Sequence, residues 1–281
     1  MNDNFQLNTV KQAEEVLNVE EILKTVPPLL YYFICFTPRS GSSWLTEILI
    51  KTNIAGLPEE WFNPDFLGEN LKRFSCKNIN EYIQFIIRFG ASNPDNSPSV
   101  FGAEMSFFQF QLVEKILQEE NLLFSKNINY IYLYRLNLVS QAMSLYKAVE
   151  TQVYHSTDQN FQDKYDLDFI YNEEGVWEWL LHILEQEFGW KQFFKKHQIE
   201  PLIITYEEIW SETALQVTRI LQYLNLSENI SFDFESQHRK ISSKKDLDFA
   251  IKFTKENFNK IQICYKYRGE KNNEEIRKLI F

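Results

Sequence analysis

The sequence predicts an α/β fold: a central parallel sheet flanked by helices, in a single domain. Two observations carry this. Residues 29–36, 129–135 and 201–205 are short apolar runs rich in Tyr, Phe and Ile, continuous rather than alternating, as strands buried on both faces require. Each run is followed by a helical pattern, and strands alternating with helices make parallel sheets.

Taken in order, residues 9–24 space their apolar side chains as a loose helix that Pro27 and Pro28 stop. The first strand, 29–36, runs into the turn TPRSGSS at 37–43 and then a helix to about residue 52. Residues 53–75, with Pro58, Pro64 and Gly68, read as irregular. Helices are expected over 80–90 and 109–120, with a short strand at 100–105 between them and a surface loop at 93–98. The second clear strand, 129–135, is followed by a helix over 138–153, an acidic loop at 158–168 and a long helix over 173–197. The third, 201–205, precedes a helix near 212–224. The last sixty residues are polar, with one helix near 246–260.

The chain has 281 residues, 44% of them hydrophobic and 24% charged, which suits a globular protein and not a disordered one. With 39 acidic against 29 basic side chains the net charge is −10, which makes the chain a poor candidate for nonspecific nucleic-acid binding. An anionic ligand must then be held by a local basic pocket. Cys35, Cys76 and Cys264 are odd in number and widely spaced, which argues against a disulfide framework or a zinc site and fits a reducing cytoplasm. The first 28 residues lack a basic leader, and no apolar run is long enough to span a bilayer.

The strongest local signal is the turn at 37–43. A buried strand enters it and a helix leaves it, so unpaired N–H groups and the positive end of the helix dipole face one spot. Gly41 removes bulk there, Ser40, Ser42 and Ser43 add hydroxyls, and Arg39 adds a cationic fork suited to phosphate or sulfate oxygens. The Walker pattern GxxxxGK[ST] is missing, which counts against an ordinary Mg²⁺-nucleotide kinase.

This turn, followed by AGLPEEWF at 55–62, YIYLYR at 130–135, VSQAMSLYKAVET at 139–151 and IITYEEIW at 203–210, resembles the bacterial sulfotransferases of the trehalose 2-sulfotransferase type. The likeness covers residues 29–225, leaving 1–28 as a helical extension and 226–281 as a C-terminal segment within one 1–281 domain. It implies a P-loop-like fold and a donor, 3′-phosphoadenosine-5′-phosphosulfate (PAPS), with no metal. It implies that Arg39, Ser40, Gly41, Ser42 and Ser43 hold the 5′-phosphosulfate, with Arg39 also facing the reacting group. It implies that Arg135, Ser140 and Ser144 grip the 3′-phosphate, and that Glu60, after Pro58 and before Trp61 and Phe62, is the base that takes the acceptor proton. Trp61 is expected to offer the acceptor a flat face. His155, His182, His197 and His238 are the rival bases. The basic stretch QHRKISSKK at 237–245 suggests a loop closing over the nucleotide through Arg239 or Lys240.

The implied acceptor is a hydroxyl or amine of a small polar molecule, either a sugar such as trehalose or a natural product. Relatives can pair, so a homodimer is compatible. Two positions depart from the pattern: Glu104 stands where sugar-sulfating relatives are expected to carry a basic residue, and Leu136-Asn137 replaces Pro-Asp. Glu104 would suit a cationic, guanidinium-like acceptor. The alternatives in other classes are a P-loop-type kinase and a nucleotide-binding relative without catalysis.

Overall fold

The computed structural model describes residues 19–91, 99–123, 128–154, 169–226 and 243–281. Four strands, β1 (Leu30–Phe36), β2 (Val100–Ser106), β3 (Ile128–Tyr134) and β4 (Leu202–Thr205), form one sheet in the order β2-β1-β3-β4, every pair parallel. The α/β expectation is met, and the segment at 100–105 is a full strand that pairs with β1 along its whole length.

Before the sheet lies α1 (Val19–Lys24), the described part of the N-terminal helix. Twelve helices in all are described. They continue as α2 (Ser42–Lys51), α3 (Pro64–Arg73), α4 (Ile79–Phe89), α5 (Phe107–Glu119), α6 (Leu138–Thr151), α7 (Glu173–His197), α8 (Tyr206–Ser211), α9 (Thr213–Tyr223), α10 (Lys244–Glu256), α11 (Phe258–Lys266) and α12 (Asn273–Ile280). Among the described residues no helix is long and apolar enough to cross a membrane.

Both faces of the sheet are covered, which is why its strands read as continuous apolar runs. Alternate residues point to opposite faces. Phe33, Cys35, Phe101, Met105, Tyr130 and Tyr132 pack with α4, α5 and α7 on one side. Tyr32, Ile34, Phe36, Ile131, Leu133 and Ile204 pack with α2 and α9 on the other. A third cluster joins α6 and α7 to α10–α12 through Leu138, Trp177, Leu180, Phe253, Ile261 and Ile276.

Three expectations need correction. Residues 53–75 are not all irregular: Pro64 opens α3 rather than breaking it. Asn63 caps that helix by accepting a bond from the Asp65 N–H, and a proline at the first helical position forfeits only an N–H with no intrahelical partner. A short helix, α8, follows β4 directly, capped by Thr205 and Glu208. The polar C-terminus holds three helices rather than one, each burying a narrow stripe such as Ile261 with Cys264 or Ile276 with Ile280. The 93–98 and 158–168 loop segments lie outside the described residues.

The register brings the carboxyl ends of the strands to one edge. Phe36 lies beside both Ser106 and Leu133, and Tyr134 lies beside Thr205. Long helix α7 fixes the end of β1 there, because the Trp190 indole N–H donates to the Phe36 carbonyl at 3.0 Å. The close approach of α7 to α5 depends on Gly189, where a Cβ would fall 2.1 Å from the Phe107 ring.

Candidate active site at the carboxyl edge of the sheet

The turn leaves β1 at this edge, the position at which open parallel α/β sheets bind ligands. Arg39 and Gly41 both have positive φ, +66° and +85°. Two left-handed residues so close together curl the backbone into a concave arc whose N–H groups converge. Gly41 is also the N-cap of α2, and with no side chain to give it leaves the helix N–H groups for a ligand. A Cβ on Gly41 would meet the Tyr206 ring at 2.8 Å, so glycine is required there by both φ and space.

Ser40 is fully buried, and its hydroxyl has no hydrogen-bond partner in the structure. Such an orphan beside a cradle of N–H groups fits an anion. The Ser42 side chain lies on the side of Glu104, and as the first residue of α2 Ser42 can offer the cradle its backbone N–H. Ser43 begins the same helix turn. The turn is held from below by a residue that the sequence reading missed. Gln141, fully buried on α6, donates from its amide to the Thr37 hydroxyl at 2.9 Å and the Pro38 carbonyl at 2.8 Å. A polar residue on the buried face of α6, between Leu138 and Leu145, was the available signal.

Arg39 and Arg135 converge on Tyr206, the first residue of α8. The Arg39 Nε donates to the Ser144 hydroxyl at 3.0 Å, and another guanidinium nitrogen donates to the Tyr154 carbonyl. The Arg135 guanidinium lies over the Tyr206 ring, 4.5 Å from its centre. Its Nε stands 4.0 Å from the Glu207 carboxylate, which is itself tied to the Leu136 and Asn137 N–H groups at 2.9 and 3.1 Å. Burial pushes the Arg135 pKa down. Ser140 is at the start of α6, its N–H bonded to the Asn137 cap. The structure therefore brings Gly41 and Arg135 against Tyr206, with Arg39 near enough to act on its hydroxyl and Ser144 bonded to Arg39, an arrangement of α8 beside β3 that only the fold reveals.

Arg135 is anchored from the C-terminus. Arg268 donates to the carbonyls of Arg135 and Leu136, and its fork also grips Glu187 at 2.6 and 2.5 Å. Tyr134 and Tyr265 flank its guanidinium.

Glu60 lies on the loop that crosses the outer edge of β2, where the Glu104 N–H bonds to the Glu59 carbonyl at 3.0 Å. Two amides hold its carboxyl: Asn63 at 2.7 Å and Gln109 at 2.6 Å, both on Oε2. Their orientations are chemically fixed, because the Asn63 oxygen accepts from the Asp65 N–H and the Gln109 oxygen from the Ser106 N–H. Both NH₂ groups must then face Glu60. Both amides meet on Oε2, and neither engages Oε1. Burial raises the Glu60 pKa, while the two amides oppose the shift.

Its neighbour Glu59 is pushed up to about 7, mainly by burial. A carboxyl that binds its proton more tightly folded than unfolded loses stability as pH rises between the two values. Denaturation measured from pH 4.5 to 7 should therefore show a falling contribution from this group, which Glu59→Gln removes; an unchanged slope would refute it.

Trp61 does not face an acceptor. It is 4% exposed, packs against Phe74 and Phe89, and bonds to the Leu57 carbonyl. An indole flanked by Phe62, Phe74 and Phe89 gains more by joining that core than by lining a cleft. Of the rival bases, His182 packs between Phe108 and Trp179 with its pKa lowered by burial, and His197 packs on Phe193 at the end of α7. His155, His238, Arg239 and Lys240 lie outside the described residues.

The chain is 22% identical to a trehalose 2-sulfotransferase of Mycobacterium tuberculosis, over 68% of its own length and 82% of that protein's. It is equally identical to the trehalose 2-sulfotransferase of Mycolicibacterium smegmatis, over 69% and 83%. Among solved structures it is similar to a sulfotransferase from Alicyclobacillus acidocaldarius, with a TM-score of 0.46, 13% identity, and 83% and 94% of the two chains covered. The sequence model of the Stf0 sulphotransferases matches residues 31–256, from the first strand through α10. The chain belongs to the Stf0 sulphotransferase family and is a sulfotransferase.

Proposed function

We propose that this sulfotransferase takes its sulfuryl group from PAPS and delivers it to a hydroxyl or amine nitrogen of a small polar acceptor. The observation that carries the reading is the turn at 37–43: two left-handed residues, an uncapped helix start and the orphaned Ser40 hydroxyl, flanked by Arg39 in a chain of net charge −10. Family membership supplies the reaction class.

In this reading the turn binds the 5′-phosphosulfate through Arg39, Ser40, Gly41, Ser42 and Ser43. Arg135, with Ser140 and Ser144, binds the 3′-phosphate. Arg39 and Ser144 share a hydrogen bond, so the two phosphate sites would be contiguous. Glu60 takes the acceptor's proton at Oε1 as the acceptor lone pair attacks sulfur. The bond between sulfur and the bridging oxygen breaks, and the charge left on the phosphate falls to Arg39 and the N–H groups of the turn. Fixed donors aimed at developing charge supply most of the acceleration in such displacements. The curated relatives carry trehalose in their names, and a sugar of that kind is the first acceptor to try. A polar natural product is the second.

Thermal shift tests the nucleotide half. The product nucleotide, 3′-phosphoadenosine-5′-phosphate (PAP), should raise the melting temperature without Mg²⁺. A larger shift from ATP with Mg²⁺ than from PAP would favour a kinase, and no shift from either would favour a non-catalytic relative.

A further inference from the structure

We propose that Gln186 and His182 of α7 set the acceptor specificity, binding a pair of hydroxyls on an uncharged ring whose face lies against Phe108 and Trp179. The inference rests on the proposed reading of the site as one for a small polar acceptor with Glu60 as its base.

Helix α7 runs against the strands. Phe194 packs on Tyr132, midway along β3, and four residues earlier Trp190 bonds to the Phe36 carbonyl at the end of β1. Three residues earlier again, Glu187 grips the Arg268 that holds the Arg135 carbonyl. At about 1.5 Å per residue, the part of α7 before Glu187 therefore projects past the carboxyl edge, to the side where the turn at 37–43 begins. Gln186 and His182 lie one turn apart on the same face of this overhang.

The first turn of α5 joins them to the base. Its Gln109 donates to Glu60 at 2.6 Å. Its Phe107 occupies the space that Gly189 leaves open, and its Phe108 ring meets the His182 ring edge-on, centres 4.9 Å apart. Trp179 meets His182 at the same separation. Phe108, Trp179 and His182 are part-exposed, whereas Gln186 is 1% exposed.

Gln186 carries the observation that calls for a ligand. Its amide nitrogen lies 2.9 Å from His182 Nε2, and its amide oxygen is buried with no hydrogen-bond partner. An amide oxygen left so is costly, and an apolar side chain of the same size would avoid the cost. The amide nitrogen only donates, so Nε2 accepts and the imidazole proton sits on Nδ1. The pair thus offers one acceptor, Gln186 Oε1, and one donor, the His182 Nδ1–H. A hydroxyl both donates and accepts, so two neighbouring hydroxyls on a ring satisfy the pair together. The aromatic rings beside them suit the C–H face of such a molecule, the part that Trp61 was expected to play.

None of the four side chains brings a charge. Burial pushes the His182 pKa down, which leaves the ring neutral at pH 7. Glu104, the acid that suggested a cationic acceptor, lies opposite Ile34 on the other face of the sheet, 4% exposed, and is not part of this group.

Saturation-transfer NMR titrations of the full chain, free and saturated with PAP, test this. Trehalose, glucose and myo-inositol serve as uncharged ring polyols, and agmatine as the guanidinium comparator. At least one polyol should bind, and Gln186→Met should weaken it by about three- to tenfold, with PAP affinity as in the wild type. The substitution removes an unpaired oxygen at nearly constant volume, so the melting temperature should not fall. If Gln186→Met does not fold, His182→Phe replaces it, keeping a ring and losing the donor, with the same expected loss. Agmatine bound in preference to every polyol, no polyol bound, or a polyol affinity that the variant leaves unchanged would overturn the inference.

Nitrogen NMR shifts of the His182 imidazole give a second readout. Nδ1 should carry the proton in the wild type and should shift when the bound polyol is added; a proton on Nε2, or no response, would contradict the pairing. Failure of the broader reading looks different. Without PAP binding the donor assignment falls, and the polyol titration of the free chain still decides this inference. Full turnover in Glu60→Gln would move the base and leave the polyol affinity untouched.

Discussion

Glu60→Gln is expected to lower sulfuryl transfer by about 10²–10⁴-fold, the usual contribution of a general base, with PAP affinity nearly unchanged. Gln keeps the size of the side chain, and its carbonyl can still accept from Asn63 and Gln109. What it removes is the oxygen that takes the acceptor's proton. Glu59→Gln is the control: Glu59 gives its backbone carbonyl to β2 and carries no comparable pair of amide donors. Both variants are assayed for sulfate transfer from PAPS to a test acceptor, beginning with trehalose. Near wild-type turnover in Glu60→Gln, with loss in Glu59→Gln or His155→Ala, would move the base elsewhere.

Arg268→Ala should cost about 3–5 kcal/mol of stability, because it strands the Glu187 carboxylate without its partner. Glu187 is 1% exposed and Arg268 11%, so water cannot replace the lost fork. The same change frees the carbonyls of Arg135 and Leu136, loosening the end of β3 that carries the proposed 3′-phosphate ligand. Arg268→Lys keeps the charge but not the planar fork, and should fall between wild type and Ala. Denaturant midpoints read the effect, and a loss below about 1 kcal/mol in Arg268→Ala would show that the pair is not the anchor described.

Much of this was legible in the chain because it is local. A parallel strand covered on both faces has no polar face to interrupt it, so β1, β3 and β4 announce themselves as apolar runs. The turn at 37–43 is also local, a strand, a few small residues and a helix start, and the structure adds the left-handed φ values of Arg39 and Gly41. Polar α11 and α12 were missed because a helix that buries only one narrow stripe leaves little periodic signal in its composition. Trp61 was misread for the opposite reason. Its place in the core is set by Phe74, at the end of a helix that the 53–75 loop reading did not anticipate, together with Phe89 of α4.

The convergences at the site are non-local and stayed hidden. Tyr206 meets Arg135 because β4 lies beside β3, and Glu104 lies under α2 because β2 pairs with β1 and sets it opposite Ile34. Sequence singled out Glu104 as an oddity of charge. Only the pairing of β2 with the Glu59 loop places it next to the proposed base.

The proposed donor site has two adjoining phosphate positions, one at the turn and one at the end of β3. Calorimetric titration of wild type, Arg39→Ala and Arg135→Ala with PAP, and with adenosine 5′-phosphosulfate, which lacks the 3′-phosphate, tests it. Charge-assisted contacts are worth roughly 1.5–3 kcal/mol, so each variant should lose about tenfold or more in PAP affinity. Adenosine 5′-phosphosulfate should respond to Arg39→Ala and be almost indifferent to Arg135→Ala. Equal losses for both nucleotides in Arg135→Ala would contradict the assignment of the 3′-phosphate, and wild-type affinity in Arg39→Ala would contradict the turn as the donor site.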